Sequence, residues 1–216
     1  PCRCFLPSRD RGRFRQAARG FMQRERFQRL ARDERLARHA GFCWGLAEGL
    51  FFFIVPDVYI SFATLFSLRA GALAWLFSIA GSAIAVIVIY LLSAMLGLDY
   101  VSFLNWIPGI SAPLIHRMGQ ELAAEGLPYS PFLVMAGVPL KLYVAQAFAL
   151  ELTLGSVLLW TVFARIVRIA PTFAIVAAMR LLFGRRIDAY AGTWCALLGI
   201  FWVAFYVFYF VHMSRV

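Results

Sequence analysis

Residues 71 to 98 run for 28 positions without a charged side chain, bounded by Arg69 and Asp99. As a helix rising ~1.5 Å per residue this run is longer than the ~30 Å hydrocarbon core of a bilayer. A second run, residues 189 to 211, is 23 positions long, uncharged and heavily aromatic. Neither has a natural place in a water-soluble core. The composition agrees: 62 % of residues are hydrophobic and 15 % charged, against ~45–50 % and ~25 % in soluble domains. The expected class is an all-α integral membrane protein.

Charge is distributed unevenly. Residues 1 to 40 carry twelve Arg against Asp10, Glu25, Asp33 and Glu34, a surplus of eight out of the chain's net +10. A basic tail beside an apolar body reads as an Arg-rich tail or interfacial helix over 1–40 that orients the chain and attracts anionic headgroups. The expected placement is multi-pass in a bacterial inner (plasma) membrane with the N-terminus cytoplasmic. Nucleic acid is not an expected partner, because the tail interleaves no aromatic platform with its arginines. No short apolar run followed by a small-residue cleavage site marks a secretory signal. Cys2, Cys4, Cys43 and Cys195 form no C-x-x-C pair and have no His at ligand spacing, so neither metal nor disulfide framework is expected. No G-x-S-x-G elbow, phosphate-binding loop or catalytic His/Cys/acid set occurs, and neither enzyme chemistry nor a cofactor is expected.

Within the membrane domain, residues 41–216, two apolar stretches are broken by proline. Residues 41–68 hold Pro56-Asp57 near the middle, and each arm is too short to span. This predicts a re-entrant hairpin, with a single kinked span over 42–66 as the alternative. Residues 129–153 hold Pro139-Leu140-Lys141 and predict a second hairpin, followed by a transmembrane helix over 154–183. Two tight spans, 142–164 and 169–184, are the alternative there. Residues 99–128, polar and rich in Pro, read as an interfacial loop, and 189–211 read as a final transmembrane helix. Gly81 and Ser82 sit in a run of small residues inside 71–98, a face that another helix backbone can approach closely.

Pro56 precedes Gly81-Ser82 by 25 residues, and Pro139 precedes Ala164-Arg165 by 25. Each half then reads as a broken segment followed by a long helix. With an odd number of crossings between them, the halves form an inverted repeat, the arrangement that brings interrupted segments together at the bilayer midplane.

Ionisable residues in apolar surroundings cost ~2.5–3.5 kcal/mol each on insertion scales and mark functional paths by default. Glu48, Asp57, Lys141, Glu151, Arg165 and Arg168 are of this kind. A carboxyl in low dielectric can exchange a proton near neutral pH, which suits Glu48, unless it is a structural ion pair with an Arg of the other half. Asp57 suits the same role or an N-cap of the following helix. Arg165 and Arg168, one turn apart, can fork around a phosphate or pair with the two carboxylates, or else snorkel to the interface. Lys141 can neutralise Glu48 or meet an anionic headgroup, and Glu151 is a further ion-pair candidate. Arg69, Arg180, Arg185 and Arg186 read as interface anchors.

The stretches A-E-G-L-F-F-F-I-V-P-D at 47–57, A-G-S at 80–82 with Tyr90 and Gly97, V-P-L-K at 138–141 and A-R-I-V-R at 164–168 resemble, in that order, the DedA superfamily. Its other names are VTT-domain and SNARE-associated Golgi proteins, and the YqaA-like branch is the nearest in pattern. The chain has Pro-Asp where many members show Pro-Gly-Glu, and it lacks a Pro-Gly-x-Arg motif in the second half. The resemblance implies two re-entrant hairpins meeting in the membrane and a role in translocating or scrambling phospholipid or polyprenyl phosphate, with protons as a coupling partner. By position it assigns Glu48 and Asp57 to the acidic hairpin residues, and Arg165 and Arg168 to the basic ones. The alternatives are a proton-coupled transporter of a small solute or ion, and a non-transporting scaffold whose basic tail binds anionic lipid.

Overall fold

The computed structural model describes residues 29–97, 99–107, 110–130 and 139–213. Within these it is helical throughout, with no strand. Most of the N-terminal tail, the first arm of the segment 129–153, Pro108-Gly109 and Arg215 lie outside the described residues.

Helix α1, Glu34–Leu50, begins at Asp33, whose carboxylate accepts from the backbone N–H of Arg35 and Leu36 at 2.8 and 3.2 Å. The expected boundary between tail and membrane domain at residue 40 therefore falls inside one continuous helix, because the capping signal lies earlier. The chain leaves helical geometry over 51–56, and α2, Asp57–Phe66, starts directly after Pro56. Ser67 alone separates α2 from α3, Leu68–Leu96. Its extended backbone ends one helix, and its hydroxyl caps the next by accepting from Ala70 N–H.

Helices α1 and α3 run parallel. Ala74, Ser78 and Ala85 of α3 lie opposite Gly41, Gly45 and Gly49 of α1. The glycines recur every fourth residue on one face, and a methyl at any of them would overlap α3 backbone or the Ala85 methyl. Gly81 returns the fit against the Phe42 carbonyl. Such contact replaces side-chain burial with backbone-to-backbone packing, the mode available where solvent offers no hydrophobic drive. Because α1 and α3 point the same way, α2 returns antiparallel between them.

Gly97, at φ 61°, ends α3 in the left-handed conformation that glycine adopts without penalty. Residues 99–128, expected as an interfacial loop, are largely helical. They carry α4, Tyr100–Leu104, and α5, Ala112–Glu125. The apolar face of α5, Leu114, Ile115, Met118 and Leu122, is buried in the main core. Its exposed charges, with the ion pair Arg117–Glu121 at 2.8 Å, sit on the opposite face. A charged amphipathic helix is read as interfacial from composition because its buried stripe is only a third of its residues.

Pro139 immediately precedes α6, Leu140–Ala149, which packs against α5 through the Gln146 amide donating to the Ile115 carbonyl at 3.0 Å. After a four-residue turn the longest helix, α7, Leu154–Ala189, begins at the Thr153 cap. It extends beyond the expected end at 183, with non-helical geometry at Phe183 where two helical pieces meet. Measured from their caps, Ser82 lies 15 residues into α3 and Arg165 12 into α7. The 25-residue spacing thus spans joints of unequal length, one residue before α3 and four before α7. Helix α8, Ala191–Met213, runs antiparallel to α2, with Ala191 beside Leu65 and Phe66 at one end and Phe210 against Phe53 at the other.

Among the described residues three helices, α3, α7 and α8, are long and apolar enough to cross a membrane.

Candidate functional site

Glu48 lies in the last turn of α1, where a helix leaves carbonyls without intrahelical partners. The break at 51–56 exposes further backbone groups that a buried position must satisfy. Side chains from other elements do so. Lys141 Nζ donates to the Glu48 carbonyl at 3.1 Å and the Phe52 carbonyl at 2.6 Å. The Tyr100 hydroxyl donates to the Leu50 carbonyl. Trp44 Nε1 donates to the Ile54 carbonyl at 2.9 Å, and Val55 N–H donates to the Tyr206 hydroxyl at 2.8 Å. The buried ammonium thus faces backbone oxygens, at the negative end of the α1 dipole, and leaves the Glu48 carboxylate to another cation.

That cation is Arg165. Its guanidinium pairs directly with the Glu48 carboxylate, at 0 % and 4 % side-chain exposure. Taking both charges out of water costs several kcal/mol each, offset only by close mutual contact. Arg165 Nε and Nη1 have no hydrogen-bond partner among the described residues.

Asp57 is also buried, but it does not cap α2. Pro56 holds the capping position, and Asp57 is the first helical residue. Its carboxyl lies beside the Thr172 hydroxyl, within electrostatic reach of Arg168. Arg165 and Arg168 consequently do not fork around one ligand. Arg165 is consumed by Glu48, while Arg168 is half-buried beside a cavity and makes no ion pair within 4 Å among the described residues.

Glu151 stays apart from this cluster. It is exposed in the turn before α7, at φ 59°, with no ion pair among the described residues. The anchors Arg69 and Arg180 pair with acids at the far end: Arg69 with Glu34 at 3.3 Å, and Arg180 with Asp188 at 2.8 and 3.1 Å.

The cavity between the two proline breaks measures about 240 Å³. Glu48, Asp57, Lys141 and Arg168 contribute its ionisable wall, and α8 closes it with aromatic side chains that include Trp202 and Tyr206. With Arg165 behind Glu48, the cluster holds three cations and two carboxylates, one positive charge in excess when all are ionised. An anion is the natural complement of that balance. Among the described residues no group of three or more His, Cys, Asp or Glu could hold a metal ion.

Thr172, Trp202, Tyr206 and the glycine row of α1 belong to the site or its frame without having been singled out in the sequence. The fourfold spacing of Gly41, Gly45 and Gly49 was available as a signal, whereas nothing local distinguishes Tyr206 from its aromatic neighbours. Comparison with family models, curated proteins and solved structures finds no match for this chain.

Proposed function

We propose that this chain translocates or scrambles a lipid with an anionic headgroup, phospholipid or polyprenyl phosphate, through a site formed where two re-entrant hairpins meet inside the bilayer. In this reading α1 and α2 form the first hairpin. The second is the segment 129–153, with α6 as its described arm. An offset of 83 residues carries Pro56 onto Pro139 and the ten-residue α2 onto the ten-residue α6. The same offset carries the pair Glu34–Arg38 onto Arg117–Glu121. Proline-broken segments in corresponding positions of two halves are the mark of an inverted-repeat transporter. The order of stretches resembling the DedA superfamily supports the same assignment.

The observation that carries the proposal is the cationic cavity at the tips, with Arg168 unpaired among the described residues and Lys141 fixed beside it. Non-helical backbone at membrane depth is tolerable only where protein covers it or a watery cavity receives it. The side-chain hydrogen bonds to 51–56 meet that condition. Glu48 and Asp57 supply carboxyls able to carry a proton against the headgroup's charge. The basic end, with Arg69, Arg180, Arg185 and Arg186, faces the cytoplasm of a bacterial inner membrane by the positive-inside rule.

The test is purified protein in liposomes holding a trace of fluorescent phosphatidylglycerol, with dithionite reporting the fraction on the outer leaflet. Translocation above protein-free liposomes, reduced at least tenfold in Arg168→Gln, is expected. No translocation above the empty control would count decisively against the reading. Solute-dependent proton flux without lipid movement would favour the small-solute transporter, and a phenotype lost only on removing residues 1–38 would favour the scaffold.

A further inference from the structure

The charged cavity does not end at its aromatic wall. On the other side of Trp202 and Tyr206 an open groove of about 600 Å³ runs between α8 and the broken tip of the first hairpin. Phe53, Trp202 and Tyr206 line both spaces. Beyond them the groove presents Ile54, Val58, Val203, Val207 and Phe210 among its lining residues, with no ionisable group other than Tyr206. The two polar atoms at the partition are already engaged. Trp202 Nε1 donates to Ser61 Oγ at 2.9 Å, and the Tyr206 hydroxyl accepts from Val55 N–H. The Tyr206 hydroxyl keeps its own proton to donate at the junction, and beyond it the groove walls are apolar side chains, while the cavity side carries charged and polar ones.

A small hydrophilic anion would use the cavity and gain nothing from such a groove. A molecule with a charged head and a hydrocarbon tail would use both at once. We infer that the groove between α8 and residues 53–58 seats the hydrocarbon chain of the lipid whose anionic headgroup occupies the cavity, with Trp202 and Tyr206 at the junction of head and tail. The inference rests on the lipid reading given above and adds the route of the chain. Charge complementarity selects the head, since chains in the surrounding bilayer are as apolar as the groove. The two spaces share Phe53, Trp202 and Tyr206 as lining, so a head in the cavity has apolar side chains for its tail on the other side of those rings.

Trp202 is a built-in reporter, because bromine atoms on a lipid chain quench indole fluorescence on contact. The full chain would be placed in phosphatidylcholine nanodiscs doped with dibrominated-chain phosphatidylglycerol or dibrominated-chain phosphatidylcholine. Quenching of Trp202 is taken as the difference from Trp202→Phe. Half-quenching is expected at a mole fraction at least five-fold lower for the anionic lipid. Arg168→Gln removes that preference. Val207→Phe, at an exposed groove position, at least halves the quenching by the anionic lipid. Equal quenching of Trp202 by the two brominated lipids, with Trp202→Phe melting at the temperature of the unaltered protein, overturns the inference. The liposome assay separates this outcome from the parent reading: translocation with equal quenching leaves lipid movement standing and removes only the chain route. Preferential quenching without translocation keeps the bound lipid and removes its movement.

Discussion

The seam between α1 and α3 and the seam between α8 and the first hairpin are built in opposite ways. Along the first, glycines meet small residues and backbone touches backbone, leaving no room for a side chain to adjust. Along the second, large aromatic rings bridge an open groove, and two hydrogen bonds from Trp202 and Tyr206 pin α8 to the hairpin. Close-packed interfaces tolerate little change in volume. Interfaces bridged by long side chains leave space that a ligand can fill. The contrast assigns α1 and α3, with the ion pair behind them, to a fixed frame, and α8 to the seam that keeps open space.

Four comparisons break or sharpen this division. The largest effect is expected at the frame's ion pair. Glu48→Ala leaves Arg165 buried and unpaired, a loss of about 3–5 kcal/mol. Glu48→Leu combined with Arg165→Met removes both charges and recovers most of it. Thermal unfolding in one detergent compares the two, and equal destabilisation of single and double variants would contradict a pair held for its mutual contact. Next, Gly45→Leu forces a side chain into the Ser78 backbone, and about 3 kcal/mol is expected from overpacking that cannot relax. The same change at Val203 on α8, which is 65 % exposed, should leave the melting temperature within error.

Lys141→Met leaves the Glu48 and Phe52 carbonyls without their donor, about 1–3 kcal/mol. Faster hydrogen exchange confined to 51–57 is the signature to seek. Smallest is Tyr206→Phe, which removes one acceptor at Val55 N–H and costs about 1 kcal/mol. Cysteine labelling at Val207 should speed up while labelling at Cys43 on α1 stays unchanged. Equal acceleration at both sites would erase the distinction between frame and cover.

Much of the frame was legible in the residues. Uncharged runs announced α3 and α8, and Pro56 and Pro139 marked where two helices begin, because a residue lacking an N–H and locked in φ punctuates the chain wherever it falls. Glu48 and Arg165 stood out singly as charges in apolar surroundings. An ion pair between Glu48 and an Arg of the other half was among the readings, but which Arg was not legible, since 117 positions separate Glu48 from Arg165 and no local pattern fixes that distance. Lys141 was read as a partner for Glu48 or for an anionic headgroup; in the fold it binds carbonyls freed by a helix end, a demand that exists only once the break is folded. Helix α5 was mistaken for loop because its exposed charges outweigh four buried apolar positions. Tyr206 was hidden by abundance: in a helix dense with aromatic rings, only packing decides which one turns inward.

The joint at Ser67 has a mechanical consequence. One residue serves as both the end of α2 and the start of α3, so the base of the first hairpin is a stiff elbow that transmits any displacement of α2 to the long helix beside it. The corresponding joint before α7 spans four residues, Leu150 to Thr153, one of them with left-handed backbone, and this longer tether is the more compliant. Movement across this tether would therefore pivot near residue 151, with α1, α2 and α3 moving as a single lever.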